Sequence, residues 1–187
     1  SVVITDVNTG DVLAMVSYPG YDNNKMANTV DAEYYAQLNA DKSSPQLNFA
    51  TQYKAAPGST FKIVSATAGL LENVINLQSR VNCVGTFTEI TPSPRCWKIS
   101  GHGYENVTSA IKDSCNYFFY NVGYQLATRT GSYNEEAGLD TLSKYADLYG
   151  LTDKSGVEIG EYAPDVSTKD PVRSAIGQGS NSYTTVG

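Results

Sequence analysis

A serine and a lysine three positions apart suggest the first chemistry in this sequence. Ser59 and Lys62 lie in the segment 56–62, Ala-Pro-Gly-Ser-Thr-Phe-Lys, a small-residue turn that leads into an apolar run of helix length. If a helix starts at this turn, the two side chains lie one turn apart on the same face. A lysine buried in a domain core loses its charge more readily and can act as a general base toward a serine hydroxyl. The pair therefore predicts a nucleophile beside its base. The backbone N–H groups and the positive dipole end at the helix N-terminus would stabilise an oxyanion that forms at an acyl group on Ser59.

A second polar cluster, Ser114-Cys115-Asn116, separates two segments with helical character. Residues 107–111 predict a short helix before the cluster, and the aromatic run 117–123 predicts a longer, buried helix after it. On a loop, residues two apart can point the same way, so we expect Ser114 and Asn116 to face the Ser59 end of the first helix. Taken singly, each cluster also fits a purely structural role, as a capped helix start or as a turn.

Together the two clusters resemble the S-x-x-K and S-x-N motifs of penicillin-binding proteins and serine β-lactamases. The resemblance is to the class B, transpeptidase-only penicillin-binding proteins, and it extends over nearly the whole chain. It implies that Ser59 attacks the D-Ala-D-Ala carbonyl of a peptidoglycan stem peptide, with Lys62 as its base. It implies that Ser114 relays a proton between Lys62 and the leaving amine, and that Asn116 hydrogen-bonds the substrate amide. A β-lactam would acylate the same serine, and no metal or organic cofactor would be needed.

The fold that this resemblance implies is the α/β (α+β) β-lactamase/transpeptidase-like fold, an antiparallel sheet flanked by helices with a helical subdomain. Residues 1–187 would form the N-terminal and central part of one such domain. Residues 1–17 would supply its opening strands, and 57–160 most of its helical region. The local patterns agree, because two β-rich runs around Asn8-Thr9-Gly10 predict a hairpin. The apolar positions of 140–149 predict a helix that ends at Gly150.

The third motif of this family, K-T-G, lies on a strand, and Lys154-Ser155-Gly156 matches a K-[ST]-G pattern literally. We assign it no catalytic role, because relatives carry a similar triplet in the setting Gly-Leu-x-x-Lys-x-Gly-Val, well before the strand. The segment 175–179, Ala-Ile-Gly-Gln-Gly, also resembles a stretch that precedes the K-T-G motif. We therefore expect that motif, and the remaining strands, after Gly187.

Composition and charge limit the kinds of partner that this chain can have. The chain has 187 residues, 41% of them hydrophobic, which suffices for a core. Its net charge of −6 argues against a nucleic-acid partner. No apolar run approaches the roughly 20 residues that span a bilayer, so we expect a membrane to be reached only through a segment outside these residues. The resemblance implies the extracytoplasmic face of the bacterial membrane and a partner such as a cell-wall glycosyltransferase.

Three cysteines and one histidine raise the question of a metal site or a disulfide. Cys83, Cys96 and Cys115 show no C-x-x-C spacing and His102 is the only histidine, so we do not expect zinc. Cys83 and Cys96 lie in one polar segment. They could form a disulfide, which would stabilise the fold by about 3 kcal/mol, or they could remain two unpaired thiols. His102 could be a general base, but a loop histidine that packs near the site is the simpler interpretation because Lys62 fills that role.

Two alternative functions stay open at this point. A serine β-lactamase would need a further group that activates water for deacylation, and class D enzymes share the turn before Lys62 but carry an aliphatic residue where Asn116 stands. A non-catalytic β-lactam sensor or scaffold would be acylated without turnover. Hydrolysis of a β-lactam favours the first alternative, whereas a lasting adduct favours a transpeptidase or a sensor.

Overall fold

The computed structural model describes all 187 residues, and they divide into two compact units. The first comprises Ser1–Lys54, Lys154–Ala163 and Tyr183–Gly187, and the second comprises Ala55–Asp153 and Pro164–Ser182. The S-x-x-K motif, residues 59–62, and the S-x-N motif, residues 114–116, therefore both lie in the second unit. None of the helices combines the length and the apolar character that a membrane crossing requires.

The first unit opens with the predicted hairpin. Strand β1 (Val2–Thr5) pairs antiparallel with β2 (Val12–Val16). The turn between them forms because the Asp6 carboxylate accepts hydrogen bonds from the Asn8 and Thr9 amides at 2.7 and 3.3 Å. Gly10 supplies the positive φ of 79° that returns the chain to the second strand. The hairpin prediction is confirmed.

Two further features of the first unit bear on the sequence analysis. Helix α1 (Ala32–Ala40) begins where the Asp31 side chain accepts from two backbone amides, as a good N-cap does. In the Lys154-Ser155-Gly156 triplet, the Ser155 amide and hydroxyl donate to the Glu161 carboxylate at 3.0 and 2.9 Å. Glu161 is buried and also accepts from Thr184. Ser155 thus satisfies a buried carboxylate, and the exclusion of this triplet from catalysis stays a prediction.

The second unit is mainly helical. In chain order it contains α2 (Lys62–Leu71), β3 (Val81–Cys83), β4 (Gly103–Glu105), α3 (Val107–Lys112), α4 (Asn116–Thr128), α5 (Glu135–Leu148) and α6 (Pro171–Ser174). Helix α4 packs against α2, α3, α5 and α6 and forms the centre of this unit. Phe118, Phe119 and Val122 are fully buried, so the aromatic run belongs to the core, as the sequence predicted.

Helix α5 starts five residues before the predicted Asp140. Its N-cap is Asn134, whose side chain accepts from the Ala137 amide at 3.1 Å. Glu135 in the first turn adds a favourable interaction with the helix dipole. The C-terminal prediction was accurate, since Gly150 follows the helix with a φ of 74° and donates to the Asp147 carbonyl.

The loop-rich stretch between α2 and α3 contains a short sheet that the sequence did not predict. Strand β3 pairs antiparallel with β4, and Cys83 lies opposite Gly103. Helix α3 then begins at a capping box, in which Asn106 and Ser109 exchange side-chain-to-backbone hydrogen bonds. This capping fixes the start of the chain segment that leads to Ser114.

Candidate active site

Ser59 lies on a short 3₁₀ turn, Gly58–Phe61, that continues directly into α2. The segment 175–179 contacts this turn through its backbone and supports it. Gly58 donates from its amide to the Gly177 carbonyl at 3.1 Å. A Cβ on Gly177 would lie 2.1 Å from the Gly58 carbonyl oxygen, so only glycine permits this approach. Sequence reasoning did not find this supporting role, although the two glycines of the segment were a signal of close backbone contact.

Lys62 is the first residue of α2, and only 2% of its surface is exposed. Its Nζ lies 3.1 Å from Ser59 Oγ. The spacing of one turn therefore brings the two side chains into hydrogen-bonding contact, with the amine out of water. The Phe119 ring lies 5.7 Å from Nζ and covers it on one side.

Ser114 and Asn116 meet the same amine from the other side. Lys62 Nζ lies 2.9 Å from the Ser114 carbonyl, 3.0 Å from Ser114 Oγ and 2.6 Å from Asn116 Oδ1. Ser114 Oγ also donates to Ser59 Oγ at 2.9 Å. Three of the four residues singled out in the sequence, Ser59, Ser114 and Asn116, thus converge on the side-chain nitrogen of the fourth, Lys62. One detail differs from the expectation of a loop: Asn116 is the first residue of α4, and Cys115 is the N-cap.

Burial lowers the pKa of Lys62 to about 8, and the nearby Cys115 and Cys96 thiols oppose this shift. With that pKa, roughly a tenth of the amine is neutral at about pH 7, some 300 times more than for an ordinary lysine. A neutral Lys62 can accept the Ser59 proton while the hydroxyl attacks an acyl carbon. Ser114 Oγ contacts both groups and offers a second path for the same proton.

The family model of the penicillin-binding protein transpeptidase domain matches residues 1–186. The chain belongs to this family. The structure agrees, since penicillin-binding protein PBP2 from Helicobacter pylori superimposes with a TM-score of 0.87 at 25% identity. That match covers 98% of this chain and 36% of the other. PBP2 from Pseudomonas aeruginosa, solved with WCK 5153, gives a TM-score of 0.83 at 28% identity over 97% of this chain and 43% of that one.

Curated relatives point the same way. The peptidoglycan D,D-transpeptidase MrdA of Escherichia coli K12 is 34% identical over 164 residues, which are 86% of this chain and 24% of MrdA. MrdA of Haemophilus influenzae is 34% identical over 173 residues, 91% of this chain and 25% of that protein. The chain therefore spans about a quarter of the length of these relatives. The predictions of family and fold class are confirmed.

A cluster of three cysteines and one histidine lies next to the S-x-N loop of this transpeptidase-family chain. Cys83, Cys96, His102 and Cys115 each place one ligand atom within 4.8 Å of the others. The spacing in the sequence did not indicate this cluster, and the expectation that these residues bind no zinc stays a prediction. The sequence reasoning relied on C-x-x-C spacing, whereas pairing of β3 with β4 brings Cys83 beside His102, and the Cys96 amide bonds to Gly85 next to β3.

Of the two alternatives considered for Cys83 and Cys96, the structure has the unpaired thiols. All three cysteines are free in the structure, so the Cys83–Cys96 disulfide is not formed. Burial disfavours the Cys96 thiolate, but backbone amides of Tyr117, Lys98 and Asn116 outweigh it and lower the pKa of Cys96. Burial raises the pKa of Cys115. His102 contacts two cysteines rather than Ser59.

Proposed function

We propose that these residues form the N-terminal and central part of a transpeptidase domain that cross-links peptidoglycan stem peptides. The observation that carries the proposal is the convergence of Ser59, Ser114 and Asn116 on the buried Lys62 amine. The relatives named peptidoglycan D,D-transpeptidase support the substrate class.

In the proposed reaction, Lys62 Nζ accepts the Ser59 proton as Ser59 Oγ bonds to the carbonyl carbon of the penultimate D-Ala. The peptide bond to the terminal D-Ala then breaks, and the proton passes to the leaving amine through Ser114 Oγ, which lies 3.0 Å from Nζ. The product is an acyl-enzyme ester on Ser59. An amine of a second stem peptide attacks the ester carbon and gives up a proton to Lys62. The bond between this carbon and Ser59 Oγ then breaks, and Ser59 Oγ takes a proton back from Lys62, which lies 3.1 Å away.

Asn116 has two functions in this scheme. Its Oδ1 accepts from Lys62 Nζ and keeps the amine directed toward both serine hydroxyls. Its side-chain NH₂ is then available to donate to the substrate amide. Because both functions depend on one side chain, replacement of Asn116 should affect substrate positioning and proton transfer together.

Acylation by β-lactams forms part of the same proposal. Penicillin-binding protein A from Mycobacterium tuberculosis was solved as an imipenem acyl-enzyme, and it superimposes with a TM-score of 0.81 at 25% identity over 98% of this chain and 43% of that one. A strained β-lactam carbonyl would react with Ser59 as the peptide carbonyl does. A serine β-lactamase and a β-lactam sensor are the alternatives, and the fate of the adduct distinguishes them.

The same relatives support proposals for the partners and the location of this protein. PBP2 from Helicobacter pylori was solved in complex with MreC, and another neighbour belongs to a peptidoglycan synthase complex that coordinates polymerization and crosslinking. We therefore include a cell-wall glycosyltransferase as a partner and the extracytoplasmic face of the membrane as the location. The membrane contact would come from a segment outside these residues.

The test uses the complete gene product with a donor and an acceptor stem peptide. Mass spectrometry should detect a cross-linked dimer and free D-alanine, and neither should form with Ser59→Ala. A labelled penicillin should give a lasting adduct. Rapid hydrolysis of the penicillin without dimer formation would establish a β-lactamase, and a lasting adduct without dimer formation would establish a sensor.

A further inference from the structure

The segment 175–179, which supports the Ser59 turn, carries one side chain that the proposed reaction does not use. Ala175, Ile176 and Gly177 are buried, whereas Gln178 is exposed. The Gln178 carboxamide has no hydrogen-bond partner within the protein. A free carboxamide offers two N–H donors and an acceptor oxygen. Beside a nucleophile, such a group on a loop is suited to contact substrate.

Two contacts fix this segment to the elements that carry the nucleophile and its base. The Gly177 carbonyl accepts a hydrogen bond from the Gly58 amide at 3.1 Å. The Ala175 carbonyl accepts at 2.7 Å from Ser65 Oγ, a fully buried hydroxyl on α2. The segment is therefore bonded both to the turn that carries the nucleophile and to the helix that carries the base.

Hydrogen bonds and close packing also fix the backbone of Gln178 itself. Its amide donates to the Arg173 carbonyl at 3.1 Å, and its carbonyl accepts from the Asn181 side-chain amide at 3.0 Å. Gly179 follows with a φ of 71°, and a Cβ there would lie 2.4 Å from Ser174 Oγ. The backbone is thus held in place while the Gln178 side chain stays exposed. A binding residue on a rigid backbone loses little entropy when it contacts its ligand.

The Gln178 carboxamide lies beside the start of the Ser59 turn. A Cβ on Gly58 would lie 4.0 Å from Gln178 Nε2. With a C–C bond of about 1.5 Å and a Cα–Cα step of about 3.8 Å, Nε2 lies within roughly 9 Å of the Ser59 Cα. An extended peptide advances about 3.3–3.6 Å per residue. When the reacting carbonyl of a peptide lies at Ser59 Oγ, the carbonyl two residues before it can therefore reach Gln178.

The stem peptide that acylates Ser59 has carbonyls that the proposed reaction leaves without a partner. Lys62 and Ser114 act at the reacting peptide bond, and Asn116 donates to the amide one residue before it. The next carbonyl along the stem peptide has no donor among these residues. Nε2 of Gln178 is a donor, which is what a carbonyl oxygen requires.

We propose that Gln178 is a substrate-binding residue, which donates a hydrogen bond from Nε2 to the main-chain carbonyl two residues before the reacting carbonyl of the stem peptide. Gln178 takes no part in proton transfer. The proposal rests on the function proposed above, since its ligand is the substrate of that reaction. It means that the site distinguishes a complete stem peptide from a short acyl-D-Ala-D-Ala, which lacks this carbonyl.

Release of D-alanine by the complete gene product tests this contact with two substrates, a complete stem pentapeptide and N-acetyl-D-Ala-D-Ala. Gln178→Ala should raise the KM for the pentapeptide about fivefold, the equivalent of one hydrogen bond, and change kcat by less than about twofold. With N-acetyl-D-Ala-D-Ala, which lacks the carbonyl, the KM should rise by less than about twofold. An unchanged pentapeptide KM, equal losses with both substrates, or a loss confined to kcat would refute the role of Gln178 alone. A wild type that releases no D-alanine would refute the proposed function and this contact together.

Gln178→Glu keeps the size of the side chain and replaces its N–H donor by a carboxylate oxygen. This variant should raise the pentapeptide KM more than Gln178→Ala does, because an oxygen acceptor then faces the substrate carbonyl. A smaller rise than in Gln178→Ala would contradict donation from Nε2. Gln78→Ala, at an exposed glutamine between α2 and β3, is the matched control and should leave both constants unchanged. The thermal unfolding midpoint of Gln178→Ala should equal that of the wild type, and a lower midpoint would mean that the side chain supports the loop rather than binding substrate.

Discussion

Replacement of Asn116 by aspartate tests whether Lys62 acts as a neutral base. Asn116 Oδ1 lies 2.6 Å from Lys62 Nζ, and burial already lowers the pKa of Lys62 to about 8. A carboxylate at this position would contact the ammonium directly and favour the charged form. An adjacent opposite charge shifts a pKa by about 1–3 units, so the pKa of Lys62 should rise to roughly 9–11.

The expected effect on rate follows from the fraction of neutral lysine. At about pH 7.5 that fraction falls roughly tenfold for a pKa of about 9 and several hundred-fold for a pKa of about 11. Acylation by a fluorescent penicillin should slow by the same factor. In the wild type the rate should increase with pH and level off above about 8, because the deprotonated amine is the active form. In Asn116→Asp this rise should move to higher pH.

Asn116→Leu is the matched control, since it removes the same amide contact with substrate and adds no charge. Asn116→Leu should lower the acylation rate without moving the midpoint of the pH–rate profile to higher pH. If the aspartate and leucine variants share the wild-type midpoint, Lys62 is not the titrating base. His102 would then be the next residue to test.

Three further predictions concern the base, the Ser59 turn and the capping box. Lys62→Arg keeps a positive charge but removes the base, so acylation should slow by at least about a hundredfold; a rate within a few-fold of wild type would place the base elsewhere. Gly177→Ala would bring a Cβ to 2.1 Å from the Gly58 carbonyl and should lower the free energy of unfolding by well over 1 kcal/mol in denaturant titrations. Gly150→Ala, with a φ of 74° and open space around the new Cβ, measures the backbone strain alone, and equal losses would rule out the close contact. Asn106→Ala should cost about 0.5–2 kcal/mol in thermal unfolding, and no loss would mean that the capping box is not formed.

Sequence patterns over a few residues predicted the contacts between residues that are close in the chain. Ser59 and Lys62 are three residues apart, and helical spacing alone requires their side chains to be neighbours. The start of α5 was misplaced, although Asn134 and the acidic residues after it carry the usual signals of a helix N-terminus.

Non-local contacts explain what sequence reasoning missed. Cys83 lies beside His102 only because two three-residue strands pair, and neither strand has a clear hydrophobic alternation. In the same way, Gly177 supports a turn more than a hundred residues away in the chain. Contacts of this kind depend on the packing of the whole unit, and spacing rules for metal sites do not detect them.

The proposed acyl transfer requires Ser59 as its nucleophile. The most direct test treats the complete gene product with penicillin and identifies the modified peptide by mass spectrometry. A single adduct on Ser59 that forms in the wild type and is absent from Ser59→Ala, with an unchanged circular dichroism spectrum, is the predicted result. An adduct on any other residue, or undiminished labelling of Ser59→Ala, would show that Ser59 is not the nucleophile.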